Sequence, residues 1–371
     1  MNAPYPSKWK TIGLVALAEF FAMSLWFSAS AITALLIAEW DISAGQSAWL
    51  TMSVQIGFVV GALTSALLNA ADLITPRKLF ALGTVVGAIA NGLIALVVSS
   101  LAPALLLRFV TGFALAAVYP VGMKIMATHM RADRGLGLGL LVGALTLGSA
   151  SPHLIRALGG IGRWQPVMLV ASGAALLAGA IVWRFGRLGP YRSETPPFNW
   201  HNLGDALRKR ELRLANFGYL GHMWELYAMW TWIPLFLLNS AETYHGNTSP
   251  QIQQQTALLA FTVIGIGSVG SIIAGKVADQ WGRTRTTISS MLVSGTCALL
   301  IGFAYGKSPW LVGGIALIWG FTIVADSAQF STAVSELSDR SYMGTALTMQ
   351  TSMGFLLTLV SIRLIPVLVD L

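Results

Sequence analysis

A glutamate stands inside the first long apolar segment of the chain. Residues 19–26 read E-F-F-A-M-S-L-W. In a helix, Glu19, Met23 and Trp26 share one face, because side chains four and seven positions apart lie on the same side. A carboxylate at membrane depth is costly while charged, so it faces the protein interior or an aqueous cavity. Glu19 is therefore a candidate site for a proton or a substrate.

The same pattern recurs 206 residues later, where residues 225–232 read E-L-Y-A-M-W-T-W. Its matching face carries Glu225, Met229 and Trp232. Two equivalent carboxylates predict a pair of pseudo-symmetric proton or substrate sites. The structural alternative is that each glutamate bonds a polar neighbour across a helix seam and that the Met and Trp side chains merely pack.

Two further ionisable residues extend these candidates. His222 precedes Glu225 by three positions, so the two can interact on one helix face, as a functional pair or as a structural bond. Arg108 lies within an apolar segment and needs a carboxylate or carbonyl partner. We take Glu19 as its candidate partner, in a pair that opens on protonation or in a static bridge.

Three other residues are weaker candidates. Asp326 is expected near the cytoplasmic end of its helix, with contact to a cationic or polar substrate as the alternative. Arg363 is expected to bind an anion or to extend its charged end towards the membrane surface. His153 follows a proline in the segment G-S-A-S-P-H.

The composition places these residues in a membrane protein. Only 10% of the 371 residues are charged and 55% are hydrophobic, whereas soluble domains carry about 25% charged residues. A helix needs about 20 mostly apolar residues to cross a bilayer. Eleven stretches qualify: residues 11–37, 47–71, 79–99, 102–126, 135–157, 165–184, 214–239, 255–276, 286–305, 309–332 and 342–368. We expect an all-α integral membrane protein embedded in the lipid bilayer.

The 23 lysines and arginines set the expected orientation. With the N-terminus in the cytoplasm, only Arg156, Arg163 and Lys307 fall in outer loops, and Arg108 and Arg363 lie within spans. Loops on the cytoplasmic side of a membrane protein carry a surplus of lysine and arginine. We therefore expect a multi-pass protein of the cell inner (plasma) membrane with a cytoplasmic N-terminus. This distribution explains the positive net charge, so we expect no nucleic-acid partner.

The chain divides into two similar halves. G-F-A-L-A-A at residues 112–117 resembles G-F-T-I-V-A 208 positions later, close to the offset of the glutamate segments. Repeats at a fixed offset indicate internal duplication, with chance likeness as the alternative. We expect an N-terminal half at residues 1–184 with spans 1–6, a cytoplasmic linker at 185–212 and a C-terminal half at 213–371 with spans 7–11. A twelfth span is predicted to be missing.

Loop and helix motifs show a family resemblance. G-K-V-A-D-Q-W-G-R at residues 275–283 matches Gly-x-x-x-Asp-x-x-Gly-Arg, and R-F-V-T-G from Arg108 matches Arg-x-x-x-Gly. On these motifs the chain resembles the major facilitator superfamily over its whole length, and among its branches the nitrate- or cyanate-porter-like one. The resemblance implies two pseudo-symmetric six-helix halves, helices 1 and 7 lining a central cavity, and an association of Arg108 with proton coupling. Spans 47–71 and 255–276 contain no arginine, which argues against nitrate itself.

The resemblance also implies gating loops that latch helices in the outward-open state. Their residues are Asp72 and Arg77 in the first half and Asp279, Gly282 and Arg283 in the second. The first copy departs from the motif, because a proline replaces the glycine and one extra residue is present. We interpret these residues as gating residues and not as substrate ligands.

Together these patterns predict a secondary active transporter. It moves a small solute or organic anion across the inner membrane by alternating access, coupled to protons. Efflux of drugs or metabolites by antiport is one alternative, and a receptor or scaffold without transport is another. We expect no enzyme, because the sequence contains neither H-E-x-x-H nor G-x-S-x-G. We also expect no cofactor, no metal, since a lone His–Glu pair offers too few ligands, and a monomer.

Overall fold

The computed structural model describes residues 8–68, 73–130, 134–159, 162–191, 209–339 and 343–369. Within those ranges the chain is helical and contains no strand. The helices are α1 Lys8–Met23, α2 Thr33–Trp40, α3 Ala44–Leu67, α4 Pro76–Val97, α5 Leu101–Leu115, α6 Tyr119–Ala127, α7 Arg134–Gly159, α8 Gln165–Phe185, α9 Arg210–His245, α10 Pro250–Gly265, α11 Gly267–Trp281, α12 Arg283–Ile301, α13 Pro309–Ile323, α14 Ser327–Leu337 and α15 Met343–Val369.

Nine helical stretches in the described part of the chain are long and apolar enough to cross a membrane. Three of these stretches join two helices each: α5 with α6, α10 with α11, and α13 with α14. The two remaining predicted spans correspond to α1 with α2, which is interrupted, and to α9, which is 36 residues long. The all-α membrane-spanning class is confirmed, and the count of eleven spans stays a prediction.

The duplication in the sequence reappears as a repeated helix contact. In the first half, a Cβ added at Gly112 in α5 would overlap the carbonyl oxygen of Val54 in α3. In the second half, a Cβ added at Gly320 in α13 would overlap the carbonyl oxygen of Val263 in α10. Glycines allow membrane helices to approach this closely. The two halves therefore use the same packing device at equivalent positions.

The halves meet along two seams. Helix α3 packs against α15, and α7 packs against α10 and α11. In the first seam, the Thr358 hydroxyl donates a hydrogen bond of 2.7 Å to Gln55 Oε1. In the second, the Ser271 hydroxyl donates to the carbonyl of Gly139 at 3.2 Å. The predicted division at the linker stays a prediction, because residues 192–208 lie outside the described ranges.

Candidate functional site

The helix that carries Glu19 is interrupted in the middle of its span. Helix α1 ends at Met23, and helical structure resumes with a short 3₁₀ turn at Ser30–Ile32 that leads into α2. Between them the backbone forms turns, with the amides of Leu25 and Trp26 bonding only three residues back. Non-helical backbone is tolerated at membrane depth only where other groups satisfy it. The interruption therefore needs hydrogen-bond donors from elsewhere in the bundle.

Arg108 supplies those donors. Its fully buried guanidinium, projecting from α5, donates to the carbonyl of Leu25 at 2.8 Å and also to the carbonyl of Trp26. A third bond reaches the carbonyl of Leu50 in α3 at 3.2 Å. The expected pair with Glu19 does not form, because the Arg108 donors are directed at these oxygens.

Two side chains complete this network. Arg108 donates to Ser28 Oγ at 3.1 Å and to Asn91 Oδ1 at 3.2 Å. The Asn91 amide in turn donates to the carbonyl of Met168 and to the hydroxyl of Ser172, both at 3.0 Å. The interruption is thereby joined to α4, α5 and α8. Arg108 positions the broken helix.

Glu19 is fully buried four residues before the end of α1. Neither carboxyl oxygen has a hydrogen-bond partner among the described residues. The carboxyl lies against Gly122 in α6, where an added Cβ would overlap Oε1. Because the end of a helix carries partial negative charge, this position adds to the cost of an ionised carboxylate. Glu19 is therefore a buried carboxyl group without a polar partner among the described residues.

Glu225 has different surroundings, although it is the sequence equivalent of Glu19. Its side chain accepts a hydrogen bond of 2.7 Å from the indole of Trp319 in α13 and one of 3.1 Å from the hydroxyl of Ser294 in α12. Both partners lie across a helix seam within the second half. These contacts match the structural alternative for Glu225, and the predicted pair of equivalent proton or substrate sites stays a prediction.

His222 forms its close pair with Asp326, and Glu225 lies within electrostatic reach of both residues. The atoms His222 Nδ1 and Asp326 Oδ1 are 2.8 Å apart, and both side chains are almost completely buried. The pair has the distance of an ion pair but not the alignment of a hydrogen bond. Asp326 is the residue just before α14, inside the Pro309–Leu337 stretch. Its expected place near the cytoplasmic end of its helix stays a prediction.

An aromatic cluster joins the two halves. Trp26 lies 4.9 Å from Phe58, 5.2 Å from Phe355 and 6.3 Å from Tyr227, measured between ring centroids. Trp26 and Phe58 belong to the first half, and the other two rings belong to α9 and α15 of the second. No pattern in the sequence marked Phe58 or Phe355 as members of a site. The signal for Tyr227 was present, because it is the aromatic residue of the repeated E-x-[aromatic]-A-M pattern.

The remaining members of the two predicted faces are buried packing residues. Met23 and Met229 belong to the main hydrophobic core. The indole of Trp232 donates to the carbonyl of Ile362 in α15 at 3.0 Å. The indole nitrogen of Trp26 has no partner among the described residues. Only the first face thus combines an unpartnered acid with an unpartnered indole donor.

Two of the predicted gating residues of the second half, Gly282 and Arg283, lie at the junction of α11 and α12. Gly282 joins α11 to α12 with a φ of 88°, a conformation that favours glycine. Arg283 then makes two parallel bonds to the carboxylate of Glu336 in α14, at 2.7 and 2.9 Å. A third bond reaches Gln329 Oε1 at 3.0 Å. Asp279 is exposed one helical turn before Arg283.

The other predicted residues lie apart from this arrangement. Asp72 falls outside the described ranges, and Arg77 is exposed in the first turn of α4. Arg363 is exposed on α15, and its guanidinium lies beside Gly45 in the first turn of α3. His153 is fully buried in α7, and neither ring nitrogen has a partner among the described residues.

Comparison with known proteins decides the family. The sequence model of the Major Facilitator Superfamily matches residues 15–362. The chain belongs to the major facilitator superfamily. This superfamily member is 25% identical to the putative niacin/nicotinamide transporter NiaP of Bacillus subtilis (strain 168) over 346 residues, which are 88% of this chain and 82% of the relative.

A solved structure supports the same architecture. The crystal structure of a mutant of the nucleoside transporter NupG superposes with a TM-score of 0.71. The match covers 95% of this chain and 90% of NupG at 16% sequence identity, which shows the shared fold. The family and both similar proteins are transporters. The expectation that this superfamily member is a transporter and not an enzyme is therefore confirmed.

Proposed function

We propose that this superfamily member moves a small solute across the inner membrane by alternating access and that Glu19 carries a coupled proton. The observation that supports this proposal is the carboxyl group itself. It is fully buried, it has no hydrogen-bond partner in the described residues, and it lies between α1 and α6 beside an interrupted helix. Such a group is costly while charged, so binding and release of a proton would change its environment strongly.

The aromatic cluster supports a conformational cycle around the same place. Trp26 and Phe58 are held by the first half, whereas Tyr227 and Phe355 are held by the second. If the halves tilt apart, these ring faces separate and line the opening. Transporters of parallel-repeat design expose a midplane site in this way by moving one half against the other.

The solute proposed here contains a flat ring. Rings pack favourably on aromatic faces, and the cluster offers such faces from both halves. The names of the two similar proteins, a putative niacin/nicotinamide transporter and a nucleoside transporter, both refer to compounds that contain nitrogen heterocycles. Orientation with the N-terminus in the cytoplasm belongs to the same proposal and is supported by the unequal distribution of lysine and arginine among loops.

Glu19→Gln and Glu225→Gln form a matched pair for the test. The purified full chain is placed in liposomes that contain a pH-sensitive dye, and proton movement is recorded on addition of nicotinamide or adenosine. Glu19→Gln is expected to reduce solute-dependent proton flux about tenfold, within the usual range of coupling free energies. Glu225→Gln is expected to retain it, since its partners Trp319 and Ser294 can bond an amide.

Equal flux in the wild type and in Glu19→Gln, with Glu225→Gln impaired, would place the proton on the other glutamate. Absence of solute-dependent proton movement in the wild type, together with solute uptake, would contradict proton coupling itself.

A further inference from the structure

The pair of His222 and Asp326 is a polar site in the second half that has no counterpart in the first. Their sequence equivalents, at offsets of 206 and 208, are Ala16 and Val118. Both side chains are almost completely buried, and the second ring nitrogen of His222 has no hydrogen-bond partner among the described residues. An unpartnered polar atom at this depth is costly, which indicates that something else satisfies it in another state.

Aromatic rings enclose the histidine. The ring centroids of Tyr219 and Phe330 lie 6.1 and 5.7 Å from that of His222. Tyr227 follows His222 by five residues on α9, which corresponds to about 7.5 Å along the helix axis. Tyr219 connects the two sites, because it neighbours His222 and lies within electrostatic reach of Tyr227.

Glu19 approaches the same region from the first half. Tyr119, at the start of α6, lies within electrostatic reach of both Glu19 and Tyr219. Tyr219 in turn neighbours His222 on α9. Three carboxylic acids thus surround this region: Glu19 from the first half, and Asp326 and Glu225 from the second, where Glu225 lies within electrostatic reach of His222 and Asp326.

The buried cations cannot balance an anion in this region. Two arginines are buried in the described part of the chain. Arg108 is directed at carbonyl and side-chain oxygens around the helix interruption. Arg156 lies in the last turn of α7 and donates to the carbonyl of Ala31. An anionic solute would meet no free cation among these residues, because His222 already faces Asp326, and burial of an unpaired charge is costly.

We infer that the solute is a flat nitrogen heterocycle that is neutral or cationic, bears N–H donors and lacks an anionic group, and that Asp326 and His222 are the residues that recognise it. The inference rests on the proposed transport function and narrows the solute class. Asp326 accepts a hydrogen bond from an N–H group of the solute, and the ring lies against the aromatic faces. A carboxylate on the same ring is rejected, because it would replace a donor by a second negative charge.

Equilibrium binding to the purified full chain in lipid nanodiscs tests the inference without any gradient. Radiolabelled nicotinamide is the probe, and unlabelled nicotinamide, adenine and nicotinate are the competitors. Nicotinamide and nicotinate share one ring and differ in amide against carboxylate. We expect nicotinate to compete at least about tenfold less effectively than nicotinamide, because it loses one hydrogen bond to a charged group. Asp326→Asn should weaken nicotinamide binding and bring the affinities for nicotinamide and nicotinate closer together.

Glu211→Gln, at an exposed residue in the first turn of α9, serves as the control and should leave the ratio of nicotinamide to nicotinate affinity unchanged. Nicotinate binding as tight as nicotinamide, or an unchanged ratio in Asp326→Asn, would overturn the inference. So would the absence of binding by both nicotinamide and adenine. If Asp326→Asn does not fold, the ratio of nicotinamide affinity to nicotinate affinity in the wild type still decides whether a carboxylate is rejected. Failure of Glu19→Gln to alter proton flux would bear on the proposed proton site and not on this ratio.

Discussion

Arg108 Nη1 lies 2.8 Å from the carbonyl oxygen of Leu25, at the point where the first membrane-spanning helix is interrupted. The guanidinium makes five contacts with oxygens there, and two of them go to carbonyls that the interruption leaves without helical partners. A positively charged donor with a rigid fork can satisfy several carbonyls at once. Arg108 thus stabilises the irregular backbone next to Glu19.

Arg108→Lys should destabilise the protein although it retains the charge. One ammonium group cannot reach oxygens of the interruption, of α3 and of α4 together, and each hydrogen bond to a charged group contributes about 1.5–3 kcal/mol. We expect a clear fall in the melting temperature of the detergent-solubilised protein. Arg184→Lys, at the exposed end of α8, is the control. A melting temperature equal to that of the wild type would show that the network is not needed.

Gly122→Ala tests the position of the Glu19 carboxyl. The new Cβ would overlap Oε1 of Glu19, and overpacking of this kind costs about 1–3 kcal/mol. We expect loss of solute-driven proton flux in liposomes, and partial recovery when Glu19→Asp shortens the acid in the same chain. Gly173→Ala on α8, where an added Cβ meets nothing within 4 Å, should behave like the wild type. Normal flux in Gly122→Ala would mean that Glu19 does not act from this position.

The sequence predicted the architecture well because it depends on repeated local rules. Each of these rules can be read from a short stretch of sequence: apolar stretches predict spans, and loop charges predict orientation. Gly112 and Gly320 allow the same close helix contact in both halves. The identity of Arg108 as a buried residue in need of partners was also predictable. Its actual partners were not, because the interruption after Met23 has no glycine or proline to mark it.

The pairing of ionisable groups could not be predicted from spacing. His222 and Glu225 are three residues apart and share a helix face, yet His222 pairs with Asp326 and Glu225 bonds Trp319. Spacing says which side chains can meet within one helix, whereas the neighbouring helices decide which contacts form. Phe58 and Phe355 were missed for the same reason, since an aromatic residue in an apolar helix carries no sign of the ring it will face.

Trp26→Phe and Trp232→Phe should separate function from stability at equivalent positions. Trp232 donates a hydrogen bond to Ile362, so its replacement should cost about 0.5–1.5 kcal/mol and lower the melting temperature with little effect on solute affinity. Both changes leave a similar cavity, but the indole nitrogen of Trp26 has no partner in the described residues, so Trp26→Phe should lower the melting temperature less than Trp232→Phe does. If it instead weakens nicotinamide binding, that nitrogen contacts the solute. Equal losses of stability in both variants would refute the distinction.

The Arg283–Glu336 pair should govern the rate of transport more than the stability of the fold. Both side chains are partly exposed, at 25% and 56%, and exposed ion pairs contribute about 1 kcal/mol or less. Their bond ties the start of α12 to α14, the helix that follows Asp326, so its loss should alter how α14 moves. We expect Arg283→Glu and Glu336→Arg each to slow solute uptake about fivefold, at the low end of coupling free energies. The double exchange should recover part of the rate, while Arg285→Ala, at an exposed neighbour, should have no effect. Uptake that stays slow in the double exchange would show that Arg283 acts through Gln329 or another group and not through Glu336.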